Sequence, residues 1–330
     1  MKLRLFQTLS KVGINGFLLG IFAAIGLAYL IPQLGSGNSI IPWKPIINWG
    51  IALVFFFYGV KLNPEQIKAG LSNWRLHLLI QGATFLLFPT LVYLLLPFLP
   101  WVKQDFVLGI IYLSALPSTV SASVVMVSIA KGNIPAAIFN ASISSLLGMV
   151  ITPAWMGVLA ETTGAQVDFL PTFLELCFKV ILPVLLGVLL HGSLYPKLKS
   201  HLISLKYVDL TVMMIFVFTS FSDSFSQGIF DPYTSSTLGL LALNMLGIFT
   251  FSIIVIWGFS GWLGFRFQDR ITALFCGSKK SLVHGVVIGK VIFPEAALLG
   301  MVLLPVMLYH IQQLIFGSIM AGNFFRRTIG

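Results

Sequence analysis

Residues 114–130 read SALPSTVSASVVMVSIA and lie inside a long apolar segment. At their centre Pro117 is followed by Ser118, Thr119, Ser121 and Ser123. Backbone that leaves the helix at membrane depth survives only where it is buried in protein or lines a wet cavity. A proline followed by four hydroxyls therefore predicts an opened helix with ligand contacts. The alternative is that the serines bond back to carbonyls or mediate helix packing. A second odd stretch, residues 273–289, reads ALFCGSKKSLVHGVVIG. It carries Gly277, Ser278, Lys279, Lys280, Ser281 and His284 between apolar flanks. Interrupted apolar segments at matching places in two halves point to the site of a secondary transporter.

Outward from these stretches the whole chain reads as membrane protein. Its 330 residues are 57% hydrophobic and 9% charged, with mean hydropathy +0.97, whereas a soluble domain carries about 25% charged residues. Apolar runs of about 20 residues give ten spans, at roughly 12–33, 43–61, 76–97, 105–130, 134–159, 171–192, 207–227, 236–262, 270–290 and 294–322. With the N-terminus cytoplasmic, 14 of the 20 Lys and Arg residues fall on the inner side and three, Lys44, Lys103 and Lys290, on the outer side. Positive-inside bias thus places both termini inside. Ten spans with both ends inside accommodate two inverted five-helix repeats, about 12–160 and 171–322, in a single integral-membrane domain over residues 1–330. The net charge of +10 is scattered over short loops, which fits topology and no nucleic-acid surface. The first apolar run, from Val12, is too long for a signal-peptide core of roughly 7–15 residues and is expected to be an uncleaved span. With no targeting signal, the plasma (inner) membrane is expected if the source is bacterial. Cys177 and Cys276 form no disulfide framework and no metal spacing.

Charged groups at the bilayer centre are costly, by about 2.5–3.5 kcal/mol each on insertion scales. Lys279 and Lys280 are about nine residues past Arg270, or about 13 Å of helix rise, so they belong near mid-membrane unless the span boundary is displaced and they snorkel. A lysine there either balances an anionic solute or takes the place of a coupling cation. In the fifth span, which also carries Ser142 and Ser145, Asn140 and Ser144 are four apart and share a helix face that either supplies oxygens to the neighbouring break or, with Gly148, mediates small-residue packing. Gln81 and Thr84 share a face on the third span, and His310 and Gln313 on the tenth. Glu175 and Lys179 form an i,i+4 pair. Asp223 is expected near the outer end of the seventh span. No nucleophile elbow, HExxH or P-loop occurs, so no enzyme is expected.

LPSTVSASVVM followed by AKGN, AAIFNASISSLLGMVITP, TSFSDSFS, LFCGSKKSL and PVMLYHIQQLIFGS together resemble the divergent SBF-like branch of the bile acid:sodium symporter superfamily, over nearly the whole chain. The resemblance implies an all-α polytopic fold of ten transmembrane helices. Spans 1, 2, 6 and 7 would form a panel domain, and spans 3–5 and 8–10 a core domain in which the broken helices 4 and 9 cross. It implies transport by relative motion of the two domains, driven in sodium-coupled members by two sodium ions behind the crossing. Carried over by motif, the oxygen-bearing ligand of the fourth span falls on Ser123 and the ligand before it on Ala122. The glutamine of the third span falls near Thr84, with Gln81 one turn earlier. The acidic ligand of the ninth span falls at about Cys276 and its partner glutamine at about Lys280.

An acid is thus missing and a cation gained, which argues against two-sodium coupling. Ser123 and Asn140 remain the candidate sodium ligands, and a buried lysine makes proton coupling the other option; no further cofactor is expected. The candidate ligand-binding residues are Ser118, Thr119, Ser121, Ser123, Asn140, Ser144, Gln81, Thr84, Ser278, Lys279, Lys280, Ser281, His310 and Gln313. The expected function is secondary transport of a small organic, anionic solute, with the lipid bilayer as surroundings and the protein a monomer or homodimer. The alternative is a non-transporting regulatory membrane protein that influences calcium homeostasis.

Overall fold

The computed structural model describes residues 16–62, 73–98, 104–159 and 169–329. Every described element is helical: α1 (Gly16–Leu30), α2 (Trp43–Lys61), α3 (Trp74–Phe98), α4 (Gln104–Ala115), α5 (Ser121–Ile129), α6 (Ile134–Leu159), α7 (169–189), α8 (His191–Leu198), α9 (Leu202–Ser226), α10 (Ser235–Trp262), α11 (Phe267–Gly277), α12 (Leu282–Ile292) and α13 (Ala296–Ile329). Among the described residues seven segments are long and apolar enough to cross a membrane, or eight if the bent α7–α8 pair counts as one span: α2, α3, α6, residues 207–226 of α9, α10, the α11–α12 pair, and α13 as far as Phe324. They fall on seven of the ten expected spans. The other three are shorter or interrupted. α1 is apolar over Leu19–Leu30, and the start of that span lies outside the described residues. α4 and α5 are separated by the opening expected at Pro117. α7 turns by 81° into α8 at Leu190. Lys2, Arg4, Lys11, Lys68 and Lys103, part of the charge count, also lie outside the described residues.

The two breaks have different local causes. Pro117 disfavours helical backbone at Leu116, so α4 stops at Ala115 and the chain runs non-helical to Val120. Gly148 of α6 makes room for this bend, since a Cβ there would lie 2.6 Å from the Pro117 ring. The second break, residues 278–281, has no proline. It is closed by an N-cap, with Ser281 Oγ accepting from His284 N at 3.3 Å to start α12.

α3 contains a π turn at Ala83–Leu87, two residues before Pro89. α7 repeats the pattern, with Cys177–Ile181 before Pro183. A proline in a helix clashes with the carbonyl four residues earlier, and widening the turn relieves that clash. In α3 the consequence is two freed carbonyls. Phe88 N bonds to Ala83 O rather than to Thr84 O, and Pro89 has no N–H to give Phe85 O, which accepts instead from Trp155 Nε1 at 2.6 Å.

α2 and α7 meet backbone to backbone, and a Cβ on Gly59 or Gly187 would come within 2.2 Å of Val184 O or Phe56 O. α1 packs on α9, which packs on α2 on one side and on α13 on the other, while α3–α6 and α10–α12 meet chiefly one another and α13. Across the seam Ser224 Oγ of α9 donates to Ala297 O of α13 at 3.0 Å. Of the α11–α12 span, 94% is buried, against 39–61% for the other six. Protein therefore surrounds this span, which is why it can carry a break and two lysines.

Candidate functional site

The two breaks touch. Ser281 N donates to Pro117 O at 2.8 Å, so the opened segments form one crossing. The carbonyl ends of α4 and α11 and the amide ends of α5 and α12 converge there. Each broken span caps the other. From the second break, Lys280 Nζ donates to Ser114 O (2.7 Å) and Leu116 O (2.9 Å) at the carbonyl end of α4, and to Thr84 O (2.8 Å). From α5, Ser123 Oγ donates to Phe275 O near the end of α11 at 3.1 Å. A cation suits a helix C-terminus, where the macrodipole is negative. The three N–H bonds of the ammonium are all matched, and Phe88 lies under it at 4.3 Å. The third carbonyl is the one that the π turn releases. Lys280 is fully buried.

The main chain of Lys280 is held as firmly. Gln313 of α13 accepts from Lys280 N at 2.8 Å and donates to Lys280 O at 2.7 Å. Its Nε2 lies 2.7 Å from His310 Nδ1, and Tyr309 OH donates to Ser278 O at 2.6 Å. One amide thus pairs with both backbone groups of an unwound residue, and His310 Nδ1 lies a longer 3.5 Å from Lys280 O. Gln313→Met keeps the volume and removes both bonds. It should destabilise the protein by about 2 kcal/mol, read as a lowered unfolding midpoint of the detergent-purified protein. A midpoint equal to the parent's would refute the clamp.

Lys279 is equally buried but held less well, by Gln313 O at 3.2 Å and by Met126 Sδ, with the Phe275 ring at 5.6 Å. The sequence treats the two lysines alike, whereas the structure gives three carbonyl oxygens to Lys280 and one to Lys279. The hydroxyls form a buried chain of their own. Ser118 N donates to Ser144 Oγ (2.9 Å), Thr119 Oγ1 pairs with Ser123 Oγ (2.8 Å), and Ser118 Oγ lies 3.4 Å from Ser123 Oγ. Ser278 Oγ bonds back to Leu274 O. The side chain of Ser121 lies outside those described. Thr84 contributes its carbonyl to Lys280, while its hydroxyl bonds back to Ile80 O.

Gln81 and Asn140 find each other: Gln81 Nε2 donates to Asn140 Oδ1 and O, both at 3.1 Å. Asn140 Nδ2 lies 2.8 Å from His77 Nδ1 and from Ala136 O. Away from the crossing, Glu175 and Lys179 pair, and Asp223 Oδ1 accepts from Gly37 N at 2.8 Å. The sequence reading passed over Tyr309, Thr152, whose hydroxyl donates to Ala115 O at 2.8 Å, and Tyr112, whose OH donates to Gly285 O at 2.5 Å. As ligands for sodium the residues present fit poorly. The three carbonyl oxygens already hold an ammonium, and Cys276, at the position of the implied acid, is a buried thiol. Among the described residues no three His, Cys, Asp or Glu side chains gather.

The model of the SBF-like CPA transporter family matches residues 15–326. The chain is 36% identical to an uncharacterised protein of Pseudomonas aeruginosa over 314 residues, 95% of this chain and 93% of the relative. It is 32% identical to the putative symporter YfeH of Escherichia coli over 317 residues, 96% and 94% of the two chains. It is 28% identical to the rat sodium/bile acid cotransporter 7 over 318 residues, 95% and 93%. With apolar helices through the described residues, a crossing of broken helices at the centre and a family match over residues 15–326, this integral membrane protein belongs to the SBF-like CPA transporter family and is a transporter, not an enzyme.

Proposed function

We propose that the protein is a secondary transporter that moves a small organic anion by alternating access, with ten spans in two inverted five-helix repeats. The Lys280 ammonium supplies the positive charge that a coupling sodium ion supplies in sodium-driven relatives. One observation carries this reading: Lys280 Nζ is bound by Thr84 O, Ser114 O and Leu116 O at 2.7–2.9 Å. A fixed cation at the junction of two helix N-termini makes the crossing attractive to an anion. The names of the vertebrate relatives pair sodium with a bile acid, which makes an amphipathic carboxylate or sulfonate the solute class to try first. The test is uptake of radiolabelled taurocholate and benzoate by proteoliposomes, in sodium buffer and in choline buffer. Uptake should be equal within about twofold in the two, whereas a tenfold requirement for sodium would overturn the role given to Lys280. An imposed proton gradient tests proton coupling in the same vesicles.

A further inference from the structure

His284 occupies the third position of α12 and takes no part in capping α4 or α11. Ser281 Oγ accepts from His284 N at 3.3 Å and lies 2.9 Å from His284 Nδ1. A hydroxyl that accepts from the backbone N–H and turns its own hydrogen to Nδ1 leaves the ring proton on Nε2. His284 is 95% buried, and its ring stands edge-on to Phe55 (5.9 Å) and Tyr58 (6.0 Å) of α2. Tyr58 OH is engaged by Ser142 O at 3.1 Å. His284 Nε2, in contrast, is buried with no hydrogen-bond partner. A buried polar atom in that state is destabilising, and in a native protein it calls for an explanation. His284 belongs to the first turn of α12, an 11-residue helix in which Ser281 takes the N–H of His284 on its hydroxyl and that of Gly285 on its carbonyl, leaving the N–H groups of Leu282 and Val283 without a carbonyl one turn earlier. The helix dipole is positive there.

We propose that His284 Nε2 and the first turn of α12 form the subsite that receives the carboxylate or sulfonate of the transported solute, reached when α2 draws away from α12. The proposal rests on the organic-anion reading above and names the group that recognises the anion. Phe55 and Tyr58 cover the subsite when it is closed and lie against the apolar body of the solute when it is open. Lys280, with its ammonium turned to the carbonyls of α4, sets the sign of the field and makes no contact with the anion.

The test uses the full chain in lipid nanodiscs with four probes: taurocholate, cholate, benzoate and uncharged methyl cholate. Calorimetry should show at least one of the three anions bound by the wild type. His284→Phe, which keeps an aromatic ring between Phe55 and Tyr58, should bind that anion at least tenfold more weakly. His284→Gln, which keeps a side-chain N–H, should bind within about threefold of wild type. Independently of any variant, the histidine Nε2 resonance of ¹⁵N-labelled wild type should shift on adding the anion and stay in place on adding methyl cholate. Equal anion affinity for wild type and His284→Phe, or an unmoved Nε2 resonance with anion bound, overturns the subsite and leaves the organic-anion reading standing. Failure of all three anions to bind the wild type overturns both.

Discussion

Lys280→Met should cost the protein about 4 kcal/mol of stability and abolish uptake. The estimate follows from leaving three buried carbonyls without a donor, at about 1–3 kcal/mol each, less the desolvation cost of the ammonium that methionine does not carry. Methionine fills nearly the same volume, so a cavity contributes little. What is lost is the partner of Thr84 O, Ser114 O and Leu116 O, all buried against protein. The end of α4 and the first break then keep the bonds of Thr152 to Ala115 O, Ser281 N to Pro117 O and Ser118 N to Ser144, and lose the three that Lys280 gave them. Lys279→Met provides the contrast. That ammonium has one carbonyl acceptor and already lies on a thioether, so losing it should cost less than half as much. Lys280→Arg should also fail, because a planar guanidinium cannot converge on three carbonyls grouped around one point. Denaturant unfolding of the purified protein ranks the three variants. Equal losses for Lys279→Met and Lys280→Met would remove the distinction drawn between the two lysines.

Much of this arrangement was legible in the sequence where side-chain type alone decides it. Pro117 ahead of four hydroxyls marked the first break, and Gly277 to Ser281 marked the second. The apolar run around Lys279 and Lys280 favoured a position near mid-membrane over a displaced boundary with snorkelling, and the structure buries both. What the sequence does not show is main chain meeting side chain. Thr84 matters through its carbonyl, and that carbonyl is free because Phe88 N reaches Ala83 O in a π turn. Pro89 is the visible signal, yet a proline inside a helix as often produces a simple kink. Asn140 and Ser144 share a face, as expected from their spacing, yet their bonds diverge: Ser144 goes to the first break and Asn140 to His77 and Gln81 of α3. Spacing fixes which residues are neighbours on one helix, while the partner is set by packing between helices. Gln313 shows the same limit, since nothing in its position announces a two-bond clamp on Lys280.

The double variant Cys276→Glu/Lys280→Gln should convert the protein to sodium dependence. These substitutions restore the acid and the amide that the family resemblance places at about these positions. They act on a site whose remaining ligands already exist, because removing the ammonium uncovers the carbonyl oxygens of Thr84, Ser114 and Leu116. Hard cations take oxygen ligands of this type. A carboxylate from the last turn of α11 supplies the compensating charge, and Gly277 against Ala83 keeps that turn next to the π turn of α3. The larger side chain at 276 overpacks a buried position and costs about 1–3 kcal/mol, so the double variant should be less stable than the parent in choline buffer. Sodium should restore stability by mass action, about 2.7 kcal/mol at a hundred times its dissociation constant, and should raise uptake at least tenfold. The single variants separate the contributions. Lys280→Gln alone uncovers the carbonyls without an acid and should remain inactive in sodium. Cys276→Glu alone leaves the Lys280 ammonium on the three carbonyls, and its residual uptake should ignore sodium. If sodium neither stabilises the double variant nor raises its uptake, the ammonium of Lys280 is not standing where a cation stands in the sodium-coupled relatives. Its three carbonyl bonds would then serve only to hold α4 in place.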